Sequence, residues 1–190
     1  MKTNNEVLGK VERRLEHIHR LMEELSPDAA EMLVERICEA SAVFVTGKGR
    51  TGYVADCFAM RLMQMGVVVH VPGEATCPRI SEGDLMIALS CSGTTSTTVE
   101  MARIARGSNA CVVAVTADED STLAEIAHHQ LLVPVRGQQF PQCETTVLGP
   151  YNNTLFEEAM LLYFDALVYT MVERENIPRD RLSQRHTNLE

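Results

Sequence analysis

Three glycines with the spacing G-x-G-x-x-G mark a turn that could hold a phosphate. Gly47, Gly49 and Gly52 lie in the stretch GKGRTG, which follows the apolar run SAVFVT and precedes a helix-like segment. A glycine turn between a strand and a helix presents unpaired N–H groups and the positive end of the helix dipole to an anion. Lys48 and Arg50 add positive charge. We therefore predict that Gly47, Gly49 and Arg50 contact a bound phosphate.

The same glycine pattern is the fingerprint of dinucleotide binding. Glu74 lies 22 residues after Gly52, about where a ribose-binding acid would stand. Pro72 and Gly73 separate Glu74 from the preceding apolar run, however, whereas a ribose-binding acid normally stands at the end of the strand. A tight turn that serves packing alone is a further interpretation of these glycines.

A second loop is crowded with hydroxyl groups. The stretch SCSGTTSTT carries seven serine and threonine side chains around Gly93, of which five are predicted substrate contacts: Ser90, Ser92, Thr94, Thr95 and Thr97. Hydroxyls and backbone N–H groups at a helix start form a phosphate cradle, while helix capping alone would explain only one or two of them. A dinucleotide does not need this second cradle. The two loops together therefore predict a sugar phosphate as the ligand.

Five apolar runs, most of them separated by helix-like segments, predict an α/β fold with a parallel sheet. Four of the runs are nearly continuous, as expected when helices cover both faces of a sheet. We predict a three-layer sandwich in which a five-stranded sheet of flavodoxin-like order 2-1-3-4-5 is flanked by helices. Strands 1 and 3 are then neighbours, so the glycine and hydroxyl loops border one crevice. The runs cover residues 42–46, 67–71, 84–90, 111–116 and 131–135, and Pro134 marks the last as an edge strand.

The chain of 190 residues is predicted to form a single domain with four parts. The first helix has an apolar stripe of nearly heptad spacing, which favours an oligomer interface, although an intramolecular core face would show the same pattern. The last helix is apolar on more than one face, so it is expected to pack on the sheet and on a partner subunit. The parts are N-terminal helices at 1–40, an α/β core at 41–135, a polar loop at 136–152, and a last helix with a tail at 153–190.

Two local features predict where helices begin and end. Ser26 followed by Pro27 is typical of a helix start, with serine as the cap and proline in the first helical position. His128 and His129 are expected to end a short helix, where a positive charge interacts favourably with the helix dipole.

Composition and charge exclude several classes of function. The net charge of −9 argues against a nucleic-acid partner, because the phosphate backbone attracts basic surfaces. The chain shows neither an N-terminal signal segment nor an apolar run long enough to span a membrane, which predicts a cytoplasmic protein. The six cysteines form no C-x-x-C pair, so reduced thiols are expected. We predict no metal site.

Several stretches together resemble the sugar isomerase (SIS) domain: VFVTGKGRTG, FAMRLMQMG, VHVPGEATCP and EGDLMIALSCSGTT. Within that family the sequence is most similar to the 6-phospho-3-hexuloisomerases of the ribulose monophosphate pathway, because the stretch TLFEEAMLLYFDAL and the ending RHTNLE match theirs. The resemblance implies interconversion of 3-hexulose 6-phosphate and fructose 6-phosphate through an enediol, without a cofactor. It also implies a homotetramer, with a dimer as the alternative.

The resemblance and the chemistry together nominate two catalytic residues. Moving a carbonyl along a sugar requires a base that removes a proton from the adjacent carbon. Glu157 matches the family's glutamate at the start of the last helix, although favourable interaction with the helix dipole alone would also explain an acid there. His186 in RHTNLE is the second candidate, suited to proton transfer near neutral pH. For His186 to act, the tail must fold back onto its own or a neighbouring subunit's site.

Two departures from the family pattern leave the exact substrate open. Thr95 stands where the family commonly has a glutamate, as in S-G-S-G-E-T, and GPYNNT stands where P-L-G-T is common. Both changes lie near the expected site and leave the phosphosugar class intact. An isomerase of another phosphosugar, or a phosphosugar-binding module without catalysis, are the alternatives.

Overall fold

A computed structural model describes residues 2–135, 153–178, 182 and 184–189. The predicted loop at 136–152 lies outside these residues. The helices are α1 (Lys2–Glu23), α2 (Ala29–Glu39), α3 (Arg50–Met65), α4 (Ser96–Gly107), α5 (Thr122–Ile126) and α6 (Asn153–Arg174). The strands are β1 (Val43–Thr46), β2 (Val69–His70), β3 (Leu85–Leu89), β4 (Cys111–Thr116) and β5 (His129–Leu132).

The five strands form one parallel sheet in the order β2-β1-β3-β4-β5, which confirms the predicted fold class and topology. The edge strands differ from the predicted bounds. β2 is only two residues long, and β5 begins at His129 and ends before Pro134. The N–H of Val133 still donates to Thr116 in the neighbouring strand, but Pro134 has no N–H with which to continue this pairing.

Two apolar layers cover the sheet, because successive strand residues point to opposite faces. Val43 and Val45 of β1 face a core built with α1, α2, α3 and α6. Phe44, between them, faces a second core built with α4 and α5. The central strands β3 and β4 contribute to both cores. This arrangement is the three-layer sandwich that the nearly continuous apolar runs predict.

α6 is held along α3 by contacts near the middle of both helices. The rings of Phe58 and Phe164 stack with centroids 4.2 Å apart and an interplanar angle of 13°. On the exposed side of the same contact, Nε of Arg61 lies 3.3 Å from Oδ1 of Asp165. Arg61 therefore forms a surface ion pair. This packing sets the position of the first turns of α6 relative to the start of α3.

The apolar stripe of α1 is divided between core and surface. Ile18 is buried in the core, whereas Val7, Val11 and Leu15 are exposed. Among the described residues, the exposed part of the stripe has no intramolecular core to cover it, so the predicted oligomer interface stays a prediction. No helix within the described ranges combines the length and the apolar character needed to cross a membrane.

The predicted start of α2 at Ser26 and Pro27 and the predicted end of α5 at His128 and His129 are wrong. α2 begins at Ala29 after Asp28, and the carbonyl of Ser26 accepts a hydrogen bond from Ala29 N, so residues 26–28 form a turn before the helix. α5 ends at Ile126, two residues before His128. The Nδ1 atom of His128 accepts a hydrogen bond from the N–H of Val112, which requires this nitrogen to be unprotonated.

Candidate functional site

The carboxyl ends of β1 and β3 lie side by side. The two strands pair in parallel with Thr46 opposite Ala88, so the glycine turn after β1 and the hydroxyl loop after β3 start at neighbouring points of one sheet edge. In the observed strand order this is the switch point at which α/β sheets bind ligands. The structure therefore brings the two predicted loops to the same edge of the sheet.

Backbone geometry explains the glycines of the first turn. A Cβ on Gly47 would lie 2.9 Å from the carbonyl oxygen of Thr51, and a Cβ on Gly52 would lie 3.1 Å from the carbonyl oxygen of Gly47. Gly49 has φ of 62°, a conformation that side-chain-bearing residues rarely adopt. The turn is thus packed tightly against the start of α3. Close packing at Gly47 and Gly52, and the backbone conformation at Gly49, would favour glycine with or without a ligand.

Both carboxylate oxygens of Glu157 are hydrogen-bonded to the side chains of two consecutive residues at the start of α3. Nε of Arg50 lies 2.6 Å from Oε2, and the hydroxyl of Thr51 donates to Oε1 over 3.2 Å. Glu157 is only 6% exposed. The Arg50 side chain remains 64% exposed, so its guanidinium is accessible from solvent. A buried, oriented carboxylate beside an accessible cation is an arrangement suited to proton transfer on an anionic substrate.

Glu157 lies beyond the first turn of α6, which begins at Asn153. The favourable effect of a helix dipole on an acid falls off within the first turn, so it is a weak explanation for this residue. Its neighbour Glu158 points elsewhere: Oε2 of Glu158 lies 3.1 Å from Nε of Arg14 on α1. The two adjacent glutamates therefore have different partners, and only Glu157 faces the glycine turn.

The hydroxyl loop is organised by bonds among its own side chains. Oγ of the buried Ser90 lies 2.9 Å from Oγ1 of Thr95, and Oγ of Ser92 accepts hydrogen bonds from the backbone N–H and the hydroxyl of Thr94. Thr95 occupies the cap position of α4, but its side chain makes no capping hydrogen bond. Helix capping through that hydroxyl therefore does not explain Thr95. Thr97 is exposed in the first turn of α4.

The loop is anchored to the next βα unit through Gly93. Its φ is 63°, and a Cβ at this position would lie 1.9 Å from Oγ of Ser121. The carbonyl of Gly93 accepts a hydrogen bond from Leu123 N at the start of α5. Ser121 itself caps α5. The glycine thus fits the hydroxyl loop tightly against the loop that follows β4.

His186 is not brought to Glu157 within the chain. Its ring is exposed, and Nδ1 lies 3.3 Å from the carbonyl oxygen of Thr187. A Cβ on Gly66 would lie 3.0 Å from Nη1 of Arg185, so the residue before His186 lies against the C-terminal end of α3. Arg50 is at the other end of this 16-residue helix, about 24 Å away at ~1.5 Å per residue. A catalytic role for His186 stays a prediction.

The contact between Thr51 and Glu157 was not predicted from the sequence. Arg50 was predicted to contact a ligand because of its charge, whereas Thr51 carries no charge and lies outside the hydroxyl-rich loop. The available signal was its position in the first turn of α3, between Gly49 and Gly52 of the glycine turn. Glu74, the alternative ribose-binding acid, is exposed and lies in a turn in which its backbone N–H donates to the carbonyl of Val71.

Within the described residues, no group of three or more His, Cys, Asp or Glu side chains is placed to hold a metal ion.

Comparisons with known proteins agree on one family. The sequence profile of the SIS domain matches residues 36–150. A 3-hexulose-6-phosphate isomerase of Mycobacterium gastri is 35% identical over 87% of this chain and 82% of its own length. The enzyme of the same name from Bacillus subtilis is 31% identical over 93% of this chain and 95% of its own length. A crystal structure from Methanococcus jannaschii, described as inferring a 3-hexulose-6-phosphate isomerase function, superposes with a TM-score of 0.81 at 28% identity, covering 96% of this chain and 99% of that one.

Proposed function

Because the chain belongs to the SIS domain family, we propose that it is a phosphosugar isomerase and that it interconverts 3-hexulose 6-phosphate and fructose 6-phosphate. Relatives that share about a third of its residues over most of its length carry the name 3-hexulose-6-phosphate isomerase. The observation that carries the proposal is the buried carboxylate of Glu157, held by Arg50 and Thr51 of the glycine turn, which lies inside the region that the SIS profile matches.

Glu157 is the proposed base. It removes the proton from C2 of 3-hexulose 6-phosphate while the carbonyl oxygen at C3 gains a proton, which gives a 2,3-enediol. Loss of the proton from the C2 hydroxyl and return of a proton to C3 then give fructose 6-phosphate with its carbonyl at C2. The sequence is redox-neutral and needs a base and donors for the developing oxyanion.

Positive charge and hydroxyl groups are proposed to bind the phosphate and the sugar. The loop that carries Ser90, Ser92, Thr94 and Thr95 leads into the start of α4, where free N–H groups and the helix dipole favour an anion. Arg50 reaches the same edge of the sheet with an exposed guanidinium. Gly47, Gly49 and Thr97 complete the proposed contacts.

Assembly into a homotetramer or a dimer is part of the proposal. The exposed apolar side chains of α1 are the surface that a second copy would cover: Val7, Leu8, Val11 and Leu15. His186 would then act on a neighbouring subunit's site that assembly brings to it, or on its own subunit's site if the tail adopts another position. Sedimentation analysis of the protein and of a Val11→Glu variant tests this assembly.

Isotope exchange tests the reaction and locates the enediol. We expect the purified protein, incubated with fructose 6-phosphate in deuterated water, to place deuterium at C3, as a 2,3-enediol requires. Glu157→Gln should lower the exchange rate by a factor of about 100 or more, because it removes the base and keeps the shape. Glu158→Gln is the matched control, since Glu158 pairs with Arg14, and it should keep nearly the full rate.

The position of the label separates the competing functions. Deuterium at C1 would indicate a 1,2-enediol and an isomerase of another phosphosugar, which the departure at Thr95 keeps open. Failure of fructose 6-phosphate and of a panel of ketose and aldose phosphates to exchange, together with saturable binding of one of them, would identify a phosphosugar-binding module without catalysis.

A further inference from the structure

We propose that Thr51 is a positioning residue whose hydroxyl orients the carboxylate of Glu157 for proton transfer. This inference rests on the proposed function of Glu157 as the base. The hydroxyl donates to Oε1 over 3.2 Å, and both residues are almost completely buried, with 8% of Thr51 and 6% of Glu157 exposed. A hydrogen bond between two buried side chains on packed helices restricts the rotation of the carboxylate.

Arg50 and Thr51 hold the carboxylate in different ways. Arg50 reaches Oε2 with a long and mostly exposed side chain, so its guanidinium is also available to the phosphate of a substrate. Thr51 is short, lies in the first turn of α3 and is shielded from solvent. When a substrate phosphate competes for Arg50, the bond from Thr51 keeps Glu157 in its orientation. Orientation of the base thus depends on Thr51, whereas binding of the anion depends on Arg50.

A competing role for Thr51 is direct contact with the phosphate, because it lies within the glycine turn, between Gly49 and Gly52. The two roles predict different kinetics. A positioning residue affects the step in which the proton moves and therefore lowers kcat with little effect on KM. A phosphate contact strengthens binding of substrate and transition state alike, so its loss raises KM.

The test compares Thr51→Val, Thr51→Ala and Thr51→Ser with Thr170→Val, whose hydroxyl bonds within α6 on an exposed face. We expect Thr51→Val and Thr51→Ala to lower kcat and the exchange rate about ten- to a hundredfold, since misplacement of a catalytic group by about 1 Å has effects of that size. KM should stay within about twofold. Thr51→Ser restores the hydroxyl and should restore most of kcat, and Thr170→Val should match the parent protein.

Several outcomes would overturn the inference. An increase in KM at unchanged kcat in Thr51→Val would assign the hydroxyl to the phosphate. Equal losses of kcat in Thr51→Ser and Thr51→Ala would show that the methyl group and packing matter, not the hydroxyl. If Thr51→Val has a much lower melting temperature than the parent, the kcat values of Thr51→Ala and Thr51→Ser decide whether the hydroxyl is required. A parent protein that exchanges no sugar phosphate would instead remove the proposed function itself, whereas an active parent with a fully active Thr51→Val removes only the role of Thr51.

Discussion

Arg50 and Glu157, which are 107 positions apart in the sequence, are joined by a contact of 2.6 Å between Nε and Oε2. The contact connects the first turn of α3 to the early part of α6. It places a cation and a buried carboxylate at the edge of the sheet where the glycine turn begins. Because Arg50 is mostly exposed while Glu157 is buried, the guanidinium can contact a ligand while it holds the carboxylate.

Replacement of Arg50 tests its proposed contact with the phosphate. Arg50→Gln should raise KM for the phosphosugar about tenfold or more, because a hydrogen bond to a charged group contributes about 1.5–3 kcal/mol. The decrease in kcat should be smaller than in Thr51→Val, because the hydroxyl of Thr51 still orients Glu157 when Arg50 is replaced. Steady-state kinetics measure both parameters.

Arg61→Gln is the matched control for Arg50. Arg61 lies on the same helix and pairs with Asp165 on the same partner helix, but nearer the middle of α3. Its replacement should leave KM and kcat close to those of the parent. Equal effects of the two substitutions would mean that α3–α6 pairing in general, and not a phosphate contact of Arg50, supports activity.

Gly93 is predicted to tolerate no side chain. Gly93→Ala places a methyl group 1.9 Å from Oγ of Ser121 in a left-handed backbone conformation, so it should lower the free energy of unfolding by about 2 kcal/mol or more. Chemical denaturation measures the change. Gly107→Ala is the control, because nothing lies within 4 Å of the added Cβ at the end of α4. It should be neutral or stabilise by up to about 1 kcal/mol, and an equal loss in both variants would contradict the steric explanation.

The stacked rings of Phe58 and Phe164 are expected to be the main contact that fixes α6. Phe164→Ala should lower the free energy of unfolding by about 3–5 kcal/mol, because it opens a cavity among fully buried side chains. Tyr169→Ala removes an aromatic ring from the exposed side of the same helix and should change stability by less than about 0.5 kcal/mol. Denaturation of the two variants provides the comparison. A small effect of Phe164→Ala would show that other contacts position α6.

His128 is predicted to make stability depend on pH. Partial desolvation, with smaller effects of Arg106 and His129, lowers the pKa of the largely exposed His128 below the 6.5 of an unperturbed histidine. The unfolded chain therefore binds this proton first, so the free energy of unfolding should fall as the pH decreases through 6.5 towards the pKa of the folded state. Above that range the contribution is constant.

Denaturation at about pH 7.5 and about pH 5.5 measures the effect of His128. His128→Asn keeps an acceptor for the N–H of Val112 without a titrating group, so it should lose less stability on acidification than the parent. An identical pH dependence in the two proteins would show that other groups account for the loss.

The arrangement of the sheet could be predicted from local patterns. Nearly continuous apolar runs separated by helical periodicity indicate a parallel sheet, and two ligand-type loops after runs one and three fit the order that the structure has. The ends of the elements were less predictable. β2 is shortened to Val69–His70, and the predicted starts and ends at Ser26 and His128 were wrong, because hydrogen bonds to neighbouring segments decide where an element ends.

The sequence by itself thus determined the class of fold, the two loops and the candidate acid at Glu157. Only the tertiary structure decided what Glu157 contacts, that Thr51 is one of its partners, and that the tail next to His186 lies at the far end of α3. The physical reason is the separation along the chain of the residues that interact. Periodicity and turn chemistry depend on residues a few positions apart, whereas the contacts of Glu157 with Arg50 and Thr51 depend on how α6 packs against α3 through Phe58 and Phe164.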